Sequence, residues 1–212
     1  MSNQNRKFAR YCLAVVPFVC ALYAAVPKAG AQALFVFHPT ADSFVDSAYP
    51  KTNFGLEPFL DVSGGALPGS VYRRAFLKFD ISSYKGPIGA VSLVLYGQHV
   101  APSTVASAEP DTAWGVLNDD WTEDGITWNN QPALDKPLST VTVTSKPQSY
   151  FWDVTSFVKN RTAAAVGPNI LSFAVTEALV PGGSEGYDVF GAGPRPVANA
   201  ANRPAPELLI SP

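Results

Sequence analysis

The sequence predicts an all-β protein, a jelly-roll-like antiparallel β-sandwich folded as a single domain behind an N-terminal leader. Three observations carry that prediction. Short runs of β-branched and aromatic residues, several alternating with period two, recur along the chain. Gly, Pro, Asn and Asp separate them, and 16 Gly with 19 Pro in 212 residues leave little uninterrupted chain for long helices. One stretch alone reads as helical, so helices cannot supply a second layer.

The leader comes first. Arg6, Lys7 and Arg10 form a positive start, Tyr11 to Val26 an apolar run, and Ala29-Gly30-Ala31 the small residues expected before a cleavage site. This reads as a signal peptide over residues 1–31, leaving residues 32–212 as the folded domain. Pro17 and Pro27-Lys28 break the apolar run below the roughly 20 residues needed to span a bilayer. The expected location is therefore secreted, periplasmic or cell-surface, with no membrane insertion after cleavage. Both cysteines, Cys12 and Cys20, lie in the leader, so the domain has no thiol chemistry and must be held by its core. The leader also holds four of the 15 Lys and Arg, so 11 face 17 Asp and Glu in the domain, a net charge near −6. That balance argues against nucleic acid as a partner and requires any anion to be bound by a local basic patch.

Ten strands follow in order: DSFVDS, EPFLDVS, YRRAFLKFDIS, AVSLVLYGQHV, TAWGVL, STVTVTS, SYFWDVT, NILSFAVTE, YDVFG and PELLIS. Val154 to Ala165 is the helical stretch, with Thr155 or Ser156 as its cap and Gly167-Pro168 as its stop. The segment GAGPRPVANAANRPAP between the last two strands reads as a long surface loop. Trp114 and Trp152 sit in apolar runs and are expected in the core. Asn160-Arg161-Thr162 is a glycosylation sequon that matters only in a eukaryotic secretory route.

Alternation assigns the faces of RRAFLKFD. Ala75, Leu77 and Phe79 point to the core, and Arg74, Phe76 and Lys78 point away from it. Arg74 and Lys78 then stand about 7 Å apart on either side of an aromatic ring, at roughly 3.4 Å per residue. An exposed Arg-aromatic-Lys row is a platform for a carboxylate-bearing sugar ring, although such a row is equally a solvated charge pair. Arg73, Lys51 and Asn53 are the neighbouring candidates, with Tyr72 and Tyr49 as exposed aromatics.

The segment DDWTEDGITWNNQPA gathers Asp119, Asp120, Glu123 and Asp124 around Trp121 and Trp128. Paired carboxylates can cleave glycosidic bonds, but no His, Tyr or Arg grouping accompanies these, and His38 and His99 lie far away in sequence. No enzyme activity is expected. Asp120, Thr122, Asp124 and Gly125 follow the start of a calcium-loop spacing, yet the acid due at position twelve is Gln131. The metal content is left open and no cofactor is expected. The favoured reading is a rigid loop whose two Trp pack inward.

In this order the segments resemble carbohydrate-binding module family 96, also described as the DNRLRE domain. ADSFVDSAYPKTNFGLEPFLDV, RRAFLKFDIS, GAVSLVLYG, the Trp-rich loop, FWDVTSFV and NRPAPELLIS carry the resemblance from about Pro39 to Ser211. It implies a non-catalytic module that binds polysaccharide, with uronate-containing, alginate-like polymers as the expected ligands. The alternative is an extracellular structural or adhesive module that binds a protein partner.

Overall fold

The computed structural model describes residues 33–64, 70–100, 108–164, 169–178, 186–193 and 203–212. The leader, the loop over residues 194–202 and the helix stop at Gly167-Pro168 lie outside the described residues.

Eleven strands and one helix are described: β1 (Phe35–Phe37), β2 (Ala41–Asp46), β3 (Phe59–Val62), β4 (Arg73–Asp80), β5 (Ala90–Val100), β6 (Ala108–Val116), β7 (Leu134–Thr144), β8 (Gln148–Asp153), α1 (Thr155–Ala164), β9 (Ile170–Glu177), β10 (Tyr187–Gly191) and β11 (Glu207–Ser211). They form two antiparallel sheets packed as a sandwich, so the all-β expectation holds. The first sheet runs β1-β11-β5-β10-β3, with β8 also on β5; the second runs β2-β4-β9-β6-β7. Long β5 organises the first sheet. β11 pairs with its first half and β10 with its last residues, while β8 lines the opposite edge.

All ten expected strands are present, and β5 has the expected bounds. Phe35–Phe37 is an addition, a three-residue strand on β11 too short to signal itself. β6 and β7 begin earlier than expected, because Pro110 and Pro137 interrupt their sequence patterns. The chain tolerates Pro137 on edge strand β7, opposite Trp114, where the register shifts on both sides of Trp114.

The helix differs in its cap. Neither Thr155 nor Ser156 closes its start: the Asp153 carboxylate accepts the Thr155 N–H at 2.9 Å. The Thr155 hydroxyl is turned to β5, where it accepts the Val91 N–H at 2.8 Å. A stronger acceptor two residues upstream frees the hydroxyl to tie the helix to the sheet.

Between the sheets lie Leu60, Leu77, Phe79, Leu93, Leu95, Trp152, Phe173, Phe190 and Ile210, all fully buried. Each contributes about 1.5–3 kcal/mol relative to exposure. Trp152 meets Phe190 edge to face at 6.0 Å and donates its indole N–H to the Asp111 carbonyl at 2.9 Å, so one core residue of β8 joins both sheets. Trp114 is half-buried on the other side of β6, its indole N–H given to Thr176 at 2.8 Å.

The second sheet is buried on both faces. Val45, Phe76, Val116 and Ala174 on its outer side pack with Trp121 and Ile126 from the loop between β6 and β7. A strand whose two alternating rows are both covered carries apolar residues in both, which is what Ala75-Phe76-Leu77 does.

Candidate functional site

The loop of residues 117–133 is fastened at several points to the outer face of the second sheet. Trp121 inserts beside Phe76, ring centroids 6.1 Å apart, and donates its indole N–H to Ser172 at 3.1 Å. Asn53 donates both to the Glu123 carbonyl and to the Ile126 carbonyl, each at 2.8 Å. A Cβ on Gly55 would stand 2.0 Å from the Glu123 carbonyl oxygen, so only glycine lets the two loops approach this closely. The Asn129 N–H reaches the Pro50 carbonyl at 3.0 Å. Asp119 is drawn into an ion pair with Arg161 of α1, while Asp120 and Asp124 are exposed. The loop is thus a packed cover with Trp121 inward.

This cover changes the expected Arg-aromatic-Lys row. Phe76 is fully buried rather than exposed, because Trp121 lies across it. Arg74 and Lys78 stay half-buried at the cover's margins. The Arg74 guanidinium lies 4.9 Å from the Trp128 ring centroid and donates to the Gln131 side-chain carbonyl at 3.1 Å. The Lys78 ammonium lies 4.7 Å from the Trp121 ring and donates to the Trp121 carbonyl. Loss of hydration pulls both below their usual pKa, and the charges of Asp119 and Asp120 act against that at Lys78.

The other candidates divide. Arg73 is neutralised, its Nε 2.7 Å from Asp46 and its Nη1 3.8 Å from Asp61. Asn53 is committed to the loop carbonyls. Lys51 is exposed on the same loop as Tyr49. Bonds from Ser47 to the Tyr72 N–H and from Pro50 to the Asn129 N–H gather that loop against Tyr72 and Trp128, whose rings lie 6.5 Å apart. The structure therefore brings Lys51, Tyr49, Tyr72, Arg74 and Trp128 into one neighbourhood. Among the described residues, Arg74 and Lys78 have neutral hydrogen-bond acceptors and no direct ion pair, with Asp119 and Asp120 near enough to Lys78 for their charges to act on it.

A groove of about 720 Å³ runs beside α1, lined in part by Asp135, Lys136, Asp153, Asn160 and Arg161. Its two cations face two acids on its own walls, and Arg161 already holds Asp119. It offers a polyanion no excess of positive charge.

Sequence reasoning missed a second cluster of charge. At one end of the sandwich the inward rows of four strands finish in titratable groups: His99 of β5, Glu109 and Asp111 of β6, Glu177 of β9 and Asp188 of β10. Asp111 lies opposite Glu177 in the second sheet, and His99 opposite Asp188 in the first. His99, Asp111 and Asp188 are buried, and His99 Nδ1 meets Asp188 at 2.7 Å. Burial pushes Asp111 well above the carboxylate range, with Asp188, Glu177 and Glu109 adding to it. Burial and then the charges of Asp188 and Glu109 push Glu177 up to about 8. Burial alone would lower the His99 imidazole, but its bond to Asp188 and the surrounding acids raise it. The signal was legible as phase: in D-T-A and V-T-E the acid falls two residues from a core residue.

The family model described as carbohydrate-binding module family 96 matches residues 33–185, which is most of the chain and includes both sheets' central strands. No curated protein matches the sequence.

Proposed function

The chain belongs to carbohydrate-binding module family 96, and from that premise we propose that it binds an acidic, uronate-containing polysaccharide outside the cell without cleaving it. The observation that carries the choice of sugar is the pairing of Arg74 and Lys78. Each lies over an indole ring and donates to a neutral oxygen, so the margin of the loop keeps two positive charges on a domain of net negative charge. Tyr72 and Trp128 stand beside Arg74, and Lys51 and Tyr49 extend the same surface. A uronate presents a carboxylate to the cations and an apolar ring face to the aromatics. Arg73 and Asn53 support the surface, the first through Asp46 and Asp61 and the second through the loop carbonyls.

Affinity electrophoresis tests the reading. The protein is expected to be retarded in gels containing alginate or pectate and to run freely in a neutral glucan gel. Equal mobility in all three would remove the acidic-sugar assignment, and retardation in the glucan gel alone would replace it with a neutral ligand.

A further inference from the structure

We propose that Asp111, Glu177 and Asp188 form a Ca²⁺ site that ties the two sheets together at one end of the sandwich. Each offers one carboxylate oxygen, and the three atoms lie within 4.8 Å of one another. Oxygens bound to one Ca²⁺ at about 2.3–2.6 Å can be no farther apart than roughly 5 Å, so a single ion can touch all three.

The burial of the unpartnered oxygens points independently to a ligand. Asp111 is fully enclosed, and neither of its carboxylate oxygens accepts a bond from an N–H or hydroxyl donor; the group beside it is the Asp188 carboxyl, with which it can only share a proton. Asp188 Oδ2 and Glu177 Oε2 are likewise buried and unpartnered. Elsewhere backbone N–H groups reach carboxylates, as Ala48 does for Asp46 and Thr155 for Asp153, and where Asp61 and Asp119 keep one unpartnered oxygen an arginine stands beside each. Here strands of both sheets aim acids at each other instead. Buried acids that face one another with a single histidine, His99 on Asp188, beside them are a costly arrangement for a core.

The donor set selects the ion. His99 is spent on Asp188 through Nδ1, and its Nε2 is turned to Gly186, where a Cβ would stand 2.3 Å away. The remaining donors are carboxylate oxygens, which suit a hard cation, and Ca²⁺ accepts irregular oxygen geometry more readily than Mg²⁺ does.

The test uses the purified full chain, stripped with a chelator and titrated at pH 8 with CaCl₂, MgCl₂ or ZnCl₂. Calorimetry should find one Ca²⁺ per chain, and Ca²⁺ about 100-fold above its Kd should raise the melting temperature by about 5–10 °C. Asp111→Asn should lose that increment while melting, metal-free, at or above the stripped wild type, since an amide of the same shape relieves the crowding of acids. Glu177→Gln provides the second variant if Asp111→Asn does not fold. Asp124→Asn, on the exposed loop, should keep the full increment. No shift with Ca²⁺, a shift with Zn²⁺ alone, or a Ca²⁺ shift retained in the cluster variants would overturn the site.

Discussion

The two charged regions of this sandwich are built on neighbouring strands by the same alternation, yet they handle charge in opposite ways. On the outer face of the second sheet, Arg74 and Lys78 remain half-buried, each cation set against an indole ring and a neutral acceptor. On the inner face, Asp111 and Glu177 meet Asp188, and the one basic group beside them among the described residues, His99, is bonded to Asp188. The difference lies in what covers each region. The outer cations are covered by a loop that supplies π faces and carbonyls and, near Lys78, the charges of Asp119 and Asp120; the inner acids are covered by the opposite sheet, which supplies Asp188 together with His99. The first region is the one proposed to receive an anion from solvent, the second the one proposed to hold a small cation.

Removing the cover breaks the comparison most severely. Trp121→Ala should cost about 3–5 kcal/mol as a large-to-small core change, seen as a lower denaturation midpoint. It should also weaken polysaccharide retardation, because Lys78 loses the ring beneath it and the side chain that anchors its backbone acceptor. The increment from Ca²⁺ should survive, since Asp111 and Glu177 lie on the other face of the second sheet and Asp188 on the first sheet.

Much of this was legible in the sequence, and the parts that were not share a cause. Alternation in RRAFLKFD correctly sent Leu77 and Phe79 inward and Phe76 to the opposite row. It could not tell that the opposite row is also buried, because Phe76 is covered by Trp121, forty-five positions later. The acids of β6, β9 and β10 each continue an apolar row. Their convergence depends on register between strands far apart in sequence, such as Asp111 with Glu177. Asn53 reads in the sequence only as a neighbour of the sugar surface, and its clamp on the loop is set by carbonyls seventy residues away. Period two gives faces; docking decides what covers them.

A second change separates structural from binding cations. Arg73→Gln leaves Asp46 without its partner and should cost about 1.5–3 kcal/mol, the range for a hydrogen bond to a charged group. Sugar retardation should be unaltered once the comparison is made below the melting transition. A loss of binding at full folding would move Arg73 into the sugar surface.

The smallest expected effect is at Lys51. Lys51→Gln should leave the melting temperature unchanged, because exposed positions away from packed features rarely matter. It should weaken alginate binding a few-fold at low salt and less at high salt, as screening predicts for a peripheral charge. Salt-independent binding in the variant and wild type alike would remove Lys51 from the surface.

The most direct test of the account is a calorimetric titration of alginate oligosaccharides into wild type and the Arg74→Gln, Lys78→Gln double variant, at two salt concentrations. The variant forfeits two cation–π contacts of about 0.5–1 kcal/mol each, so its melting temperature should fall slightly while its spectrum stays folded. Its binding should fall by far more, each lost charge-assisted contact costing about 1.5–3 kcal/mol, and its residual affinity should respond less to salt. Wild-type affinity and salt dependence in the folded double variant would contradict the account.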